Sequence, residues 1–268
     1  MQGVEAMEII DLHAHIYPDK IAEKAAAGIG SFYNIKIDCS GTAENLIKNG
    51  SEAGISQFFV HSVATAPHQV SSINQFIAQQ CKKHSCFIGF GTIHPLLDSP
   101  IEAVEEIISL GLKGVKLHPD TQHFNMDDPR MFPIYDMIQG RLPVLMHCGD
   151  YRYTYSHPSR LKNVLKNFPK LTVIAAHFGG WSLWDLALEY LLDQNCYVDC
   201  SSSIMFLGKK RAKELIGLYG AERVVFGTDY PMWTAQQSVE DVMGLKLRDE
   251  ELELILNKNA RRILGEMI

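Results

Sequence analysis

Residues 8–13 read Glu-Ile-Ile-Asp-Leu-His, an apolar run that ends in a polar residue. Seven more segments of this kind follow along the chain, and each is followed by a longer stretch that includes a helical pattern. They are short, nearly continuous in apolar character and rich in Val and Ile, which is typical of parallel strands buried on both faces. The predicted strands are Glu8–His13, Gln57–His61, Cys86–His94, Gly114–His118, Leu142–His147, Leu171–His177, Cys196–Cys200 and Arg223–Asp229.

The stretches between the strands predict helices. Ile101–Leu110 has apolar residues near the 3.6-residue period, with Pro100 at its first position and Gly111 directly after it. Alternating strands and helices imply right-handed crossovers and a parallel sheet. Eight such units in 268 residues favour an α/β fold of the (β/α)8 TIM-barrel type, with residues 1–268 as a single domain. Similar helical patterns cover Ser182–Leu192, Lys209–Tyr219 and Glu250–Leu264.

The longest irregular segment is Ile16–Ser40, directly after the first predicted strand. It contains Pro18, Gly28, Gly30 and an Ala-rich patch that can form a short helix. Connections of this length more often serve as functional lids than as spacers. We therefore expect a lid over one end of the barrel.

Composition narrows the classes of partner. The chain is 46% hydrophobic, which suffices for a sizeable core, and its net charge of −6 leaves no basic excess for binding nucleic acid. No apolar stretch approaches the roughly 18 residues of a membrane span. The six cysteines form no Cys-x-x-Cys pair, so we expect reduced thiols in a cytoplasmic protein. A small-molecule substrate is the expected partner.

Histidines are concentrated at the ends of the predicted strands. Such strand ends converge on one face of a barrel, where active sites form. His13 and His15 are two residues apart on a strand, so both imidazoles face one side and can reach one ion, at about 2.0–2.1 Å for zinc. Seven of the eleven histidines occupy strand ends: His13, His15, His61, His94, His118, His147 and His177.

Asp229 ends the eighth predicted strand. A carboxylate after such an apolar run is costly to bury without a partner. A metal ion would offset that cost, and so would a salt bridge, for example to Lys116. His147 also has two interpretations, as a metal ligand or as a core histidine bonded to the backbone.

The stretches IIDLHAH, GVKLHP, VLMHCG, VIAAHFGG and VVFGTDYP occur in this order between residues 9 and 231. With them the sequence resembles the amidohydrolase-related branch of the amidohydrolase superfamily. The resemblance implies a (β/α)8 barrel with one or two divalent metal ions, usually zinc, and it allows a homodimer. It also implies that His13, His15, His147 and Asp229 are metal ligands. His177 is either a ligand of a second ion or a base beside the first.

Two further residues on the fourth predicted strand bear on the number of ions. Lys116 and His118 share a strand face and should point into the barrel. In some binuclear relatives a lysine on strand four is carboxylated and bridges two ions. Lys116 could do the same, bind a substrate carboxylate as a cation, or pair with Asp229. His118 is expected to contact substrate.

Aromatic residues and one cation follow the later strands. Tyr151, Arg152, Trp181 and Trp233 are predicted to bind substrate, because aromatic walls with one cation suit a small, partly apolar acid. The alternative is that they pack the loops onto the rim of the barrel. His61 and His94 lie outside the family's ligand pattern. Each is expected to support a ligand, to line the wall of the pocket or, first of all, to make an ordinary capping hydrogen bond.

Hydrolysis is the leading functional hypothesis from the sequence. Zinc lowers the pKa of its bound water to about 7. Asp229 would take the water's proton and pass it to the leaving group, while His177 orients substrate or stabilises the oxyanion. Small amides, lactones and esters fit this scheme. The alternatives are a metal-dependent decarboxylase of a small unsaturated or aromatic acid, and a metal-binding barrel without turnover.

Overall fold

The computed structural model describes residues 7–265. Its eight strands pair in parallel and in chain order. The first and last strands also meet, because the amide of Leu12 donates to the carbonyl of Phe226 (2.9 Å) and the amide of His15 to that of Tyr230 (2.7 Å). The predicted (β/α)8 barrel is therefore confirmed. The strands are β1 (Ile9–His15), β2 (Ile55–His61), β3 (Phe87–Thr92), β4 (Gly114–Leu117), β5 (Val144–Met146), β6 (Val173–Ala175), β7 (Tyr197–Asp199) and β8 (Val224–Val225).

Several strands end earlier than the apolar runs predict. The paired residues of β5 end at Met146 and those of β8 at Val225, so His147 and Asp229 lie beyond the ladder. His177 and Asp229 have left-handed backbone conformations, with φ of 60° and 57°. Such conformations are costly for residues other than glycine and are concentrated at functional sites. His147, His177 and Asp229 therefore lie beyond the paired strands at the mouth of the barrel, whereas His13 and His61 lie within β1 and β2.

Helices lie between the strands, and the predicted ones are present. Ile101–Leu110 corresponds to a helix that starts one residue earlier, and Lys209–Tyr219 to the part of a longer helix that follows a break at Gly208 (φ 74°). A π-helical turn, Leu254–Lys258, joins the last two helices. The helices are α1 (Asp19–Tyr33), α2 (Ala43–Glu52), α3 (Val70–Lys83), α4 (Pro100–Ser109), α5 (Pro119–Gln122), α6 (Phe132–Ile138), α7 (Pro158–Asn167), α8 (Trp184–Leu191), α9 (Ile204–Tyr219), α10 (Ala235–Met243), α11 (Asp249–Glu253) and α12 (Asn259–Leu264).

The segment expected to be largely irregular, Ile16–Ser40, contains the 15-residue helix α1. Small residues form its buried face, namely Ala22, Ala26 and Gly30, so the helix can lie close against the barrel. Asn34 follows the last residue of the helix, and its left-handed conformation (φ 54°) turns the chain away. Helix α1 thus places its last residue, Tyr33, at the mouth of the barrel.

A closely packed core fills the barrel and the space between the sheet and its helices. Buried apolar side chains from six strands form one cluster with α12, and a larger cluster lies between the sheet and the other helices. All six cysteines are free thiols. No helix within residues 7–265 is long and apolar enough to cross a membrane. The strand residues of the smaller cluster are Ile10, Leu12, Phe59, Phe90, Leu145, Ile174 and Val225, and Ala176 joins them directly after β6.

Two loops at the mouth approach each other at Gly149. Its φ is +78°, and a Cβ added there would lie 2.5 Å from the carbonyl carbon of Gly180. We expect Gly149→Ala to lower the free energy of unfolding by about 1–3 kcal/mol more than Gly140→Ala does, as measured by urea denaturation. Gly140 is the matched control, because its φ is +72° and nothing lies within 4 Å of its added Cβ. Equal losses in the two variants would contradict the predicted clash.

Candidate metal centre and active site

A small cavity of about 30 Å³ lies at the carboxyl ends of the strands. It brings together all five predicted metal ligands and four of the six predicted substrate-binding residues. Tyr151 and Arg152 do not line it. The predicted residues in its lining are His13, His15, Lys116, His118, His147, His177, Trp181, Asp229 and Trp233.

One half of the cavity holds His13, His15 and Asp229. The Oδ1 atom of Asp229 lies 3.2 Å from His13 Nε2 and 3.4 Å from His15 Nε2. Burial lowers the pKa of His15 to about 4, so its imidazole is neutral near pH 7. A neutral imidazole keeps a lone pair for a metal. Two imidazoles and a carboxylate thus present donor atoms to a common point.

Asp199, at the end of β7, sets the orientation of His13. Its Oδ2 atom lies 2.8 Å from His13 Nδ1, and its Oδ1 atom accepts hydrogen bonds from the His177 amide (2.9 Å) and from Ser201 Oγ (2.6 Å). A carboxylate that accepts from one nitrogen of a ligating histidine keeps the proton on that nitrogen, here Nδ1. The other nitrogen, Nε2, then keeps its lone pair for an ion. The sequence analysis missed Asp199, although it too is a carboxylate that ends an apolar strand.

His147 and His177 form the other half of the cavity. His147 Nε2 lies 3.0 Å from the carbonyl oxygen of Gly149, and His177 Nδ1 lies 3.1 Å from that of Ser201. Carbonyl oxygens only accept, so these two nitrogens carry the protons. The nitrogens that face each other, His147 Nδ1 and His177 Nε2, are 3.1 Å apart and both keep lone pairs. Burial, which lowers the pKa of His177 to about 3, also keeps its ring neutral.

This arrangement fits a divalent metal ion. The two converging lone pairs of His147 Nδ1 and His177 Nε2 repel each other unless a cation lies near both. Imidazole and carboxylate ligands suit zinc, manganese and iron. The predicted ligands are His13, His15, His147 and Asp229, with His177 beside them, and their roles remain predictions.

Lys116 is fully buried within this group of histidines. Its Nζ atom lies 2.8 Å from His13 Nε2. No ion pair joins it to Asp229 in the described part of the chain, so the salt bridge considered from the sequence does not form. Burial lowers the pKa of Lys116 to about 8, although the charge of Asp229 opposes that shift. It is the only lysine or arginine among the described residues that line the cavity.

His118 and Tyr33 form one wall of the cavity. The ring of His118 stacks on that of His147, with centroids 3.8 Å apart and planes 9° apart. The hydroxyl of Tyr33 lies 3.0 Å from His118 Nε2 and 3.4 Å from His147 Nε2. Helix α1 therefore reaches the centre of the site through Tyr33. The sequence analysis expected a lid here but did not identify this residue.

An aromatic wall continues from Tyr33. Trp181 lies 5.1 Å from Tyr33, and Phe206 lies 6.2 Å from Trp181 and 6.0 Å from Trp233 between ring centroids. Trp233 Nε1 donates to Ser202 Oγ (2.8 Å), which in turn donates to Asp229 Oδ2 (2.5 Å). The wall is thus joined by hydrogen bonds to the carboxylate.

Tyr151 and Arg152 lie outside the cavity. Tyr151 is 72% exposed. The Arg152 guanidinium donates to Asp150, with Nη2 2.6 Å from Oδ2, and it also donates to the carbonyl of Phe32. It lies over the Phe32 ring at 4.7 Å from the centroid. In this structure Arg152 therefore holds the end of α1 against the barrel.

Arg152→Ala should loosen α1. A hydrogen bond to a charged group contributes about 1.5 kcal/mol, so we expect roughly tenfold faster amide exchange over residues 28–35, measured by hydrogen–deuterium exchange. Arg130→Ala is the matched control, because Arg130 binds Asp128 with the same geometry at a different place. Unchanged exchange in Arg152→Ala, or equal acceleration in both variants, would contradict the holding role.

A (β/α)8 barrel with imidazoles and carboxylates at the carboxyl ends of its strands defines a class of metal-dependent enzymes. The amidohydrolase family model matches residues 10–265. The chain therefore belongs to the amidohydrolase family, as its motifs predicted, and it is a metal-binding enzyme of that superfamily.

Several proteins match this chain over nearly their whole length. The 2-amino-3-carboxymuconate-6-semialdehyde decarboxylase of Dictyostelium discoideum is 23% identical over 96% of this chain and 91% of its own. An uncharacterized TIM-barrel protein from Bordetella bronchiseptica superposes with a TM-score of 0.77 at 23% identity, covering 96% and 98% of the two chains. A dihydroxybenzoic acid decarboxylase from Polaromonas sp. JS666, with bound manganese and the inhibitor 2-nitroresorcinol, gives 0.74 at 16% identity, covering 97% of each.

Proposed function

We propose that this enzyme is a metal-dependent decarboxylase of a small aromatic or unsaturated carboxylic acid. The observation that carries the proposal is the buried Lys116 in a cavity with aromatic walls and convergent metal-ligand atoms. A cation beside apolar rings suits a flat acid whose carboxylate loses its water on binding. The named decarboxylases among the relatives support this alternative better than the hydrolysis expected from the sequence.

The reaction balances without an oxidant or a reductant. The bond between the substrate carbon and its carboxylate breaks, carbon dioxide leaves, and the electron pair stays on that carbon, which then takes one proton. A divalent metal, when bound, supplies a Lewis acid that stabilises negative charge on a substrate oxygen.

In this proposal the chain's own residues bind the acid and deliver the proton. Lys116 Nζ binds the carboxylate before it leaves, and its low-dielectric surroundings strengthen that contact. Asp229 passes a proton from solvent water to the substrate carbon, with Oδ2 held by Ser202. His177 keeps Nε2 towards the reacting atoms, because the Ser201 carbonyl accepts from Nδ1.

Helix α1 covers the site through Tyr33. With Tyr33 in place the cavity at the metal-ligand atoms measures about 30 Å³, and a second cavity of about 590 Å³ shares His15, Tyr17, Ile29 and His118 with it. In this proposal the acid reaches the metal ligands from the larger cavity.

The identity of the metal is part of the proposal. Imidazole and carboxylate ligands accept manganese as well as zinc, and the Polaromonas decarboxylase carries manganese. We therefore include both ions in the test. A homodimer and a cytoplasmic location remain predictions.

Carbon dioxide release from a panel of hydroxybenzoates, dihydroxybenzoates and unsaturated dicarboxylates tests the function. Metal-free protein reconstituted with Mn²⁺ or Zn²⁺ should release carbon dioxide from at least one acid, and the metal-free sample should not. The same samples are assayed against small amides, lactones and esters. Hydrolysis of one of these without any carbon dioxide release would overturn decarboxylation in favour of the hydrolase.

A further inference from the structure

His61, the last residue of β2, is a fully buried histidine without a hydrogen bond. Neither Nδ1 nor Nε2 has a partner among the described residues, so the capping bond expected from the sequence is absent. Buried polar atoms in native proteins almost always have a partner. An imidazole that loses its water on folding and gains nothing in return therefore indicates a ligand at this position.

The surroundings of His61 point to the nature of that ligand. His61 pairs with His15 across the β1–β2 ladder, and the two ring centroids lie 4.3 Å apart at 86°. The ring centroid of His13 lies 5.2 Å from that of His61. One nitrogen from each of the three histidines lies within 4.8 Å of the other two. Nitrogens bound to one ion at about 2.1 Å lie up to about 4.2 Å apart, so small side-chain adjustments suffice.

A strand-end position does not by itself leave an imidazole unpaired. His94 lies two residues beyond the end of β3 and is also buried. Its Nδ1 nevertheless accepts a hydrogen bond from the Leu96 amide (3.2 Å). The lack of partners is thus a property of the site around His61. What His61 faces is His15 and His13, two predicted ligands.

We propose that His61 is an additional ligand of the divalent ion bound by His13 and His15. This inference rests on the metal dependence in the proposed function, but not on the reaction. Together with His147 and Asp229, five side chains then hold the ion. A tetrahedral zinc site has no room for five, whereas an octahedral ion keeps one position for substrate or solvent.

Metal binding by His61→Gln and His61→Ala tests this assignment, with His94→Gln as the matched control. Affinity for Mn²⁺ is measured by competition with a chelator, and the visible absorption spectrum of the Co²⁺-loaded protein reports the ligand set. We expect roughly 10- to 100-fold weaker Mn²⁺ binding in both His61 variants, and a changed Co²⁺ spectrum. The control should match the original protein in both measurements.

Two outcomes would overturn the assignment. One is unchanged Mn²⁺ affinity in folded His61→Gln. The other is weaker binding with an unchanged Co²⁺ spectrum, which would mean that His61 supports the site without binding the ion. Neither readout needs turnover. A changed Co²⁺ spectrum in His61→Gln, together with no carbon dioxide release by the original protein, would therefore support His61 as a ligand and reject the decarboxylase.

Discussion

Asp229→Asn is expected to lower kcat by about 10²- to 10⁴-fold, the usual contribution of a positioned proton carrier. The amide cannot take up and release a proton as the carboxylate does. It keeps one oxygen towards His13 and His15, and its volume is almost unchanged. Steady-state release of carbon dioxide by the metal-loaded variant measures the effect.

The metal content of the Asp229→Asn variant shows whether lower turnover comes from the lost proton carrier or from lost metal. Asp229 Oδ1 faces His13 and His15, so the substitution also weakens a predicted metal ligand. The variant is therefore assayed at saturating metal, with metal content determined by elemental analysis on the same sample. Ser202→Ala is the companion variant, because it removes the hydrogen bond to Oδ2 and leaves Oδ1 in place. Full turnover of Asp229→Asn with metal retained would rule out Asp229 as the proton carrier.

Asp199→Asn is expected to weaken metal binding by roughly 10- to 100-fold, although Asp199 is not a predicted ligand. In the original protein the Asp199 carboxylate accepts a hydrogen bond from His13 Nδ1. An asparagine amide that turns its NH2 group towards Nδ1 would favour the other tautomer, with the proton on Nε2. A protonated Nε2 has no lone pair for an ion. Titration of the metal-free variant with Mn²⁺ measures the loss.

Stability provides a second readout for Asp199. The side chain is fully buried and also accepts from the His177 amide and from Ser201, so we expect a loss of about 1–3 kcal/mol in the free energy of unfolding. Asp11→Asn is the matched control. Burial raises the pKa of Asp11 to about 7, so its amide resembles a state already populated at neutral pH. Equal effects of both substitutions on metal affinity would contradict a specific role of Asp199.

The polar residues at the strand ends were predictable because the sequence shows both where each apolar strand ends and that strands alternate with helices. A parallel barrel places the carboxyl ends of all its strands on one face, so a polar residue that ends an apolar run must lie there. His13, His147 and Asp229 follow this rule, and each lines the cavity. The order of the strands and the position of the site thus follow from local pattern alone.

Side chains that reach the site from loops were less predictable. Arg152 and Trp181 both follow a strand in the sequence, yet only Trp181 lines the cavity. The difference lies in Asp150, whose carboxylate holds the Arg152 guanidinium to the outside. Tyr33 illustrates the reverse case, because a 15-residue helix carries it into the site from a segment that was expected to be largely irregular. Such outcomes depend on competition between contacts that are distant in sequence.

The amino-acid sequence by itself determined the barrel, the family and the residues at its mouth, because these depend on periodicity and on which residue ends each strand. Only the tertiary structure decided the pairing of Lys116 with His13 rather than Asp229, the support of His13 by Asp199, and the unpartnered state of His61. These are distances of a few ångströms between different strands. They arise from the packing of side chains from strands that are distant in sequence, which no local pattern encodes.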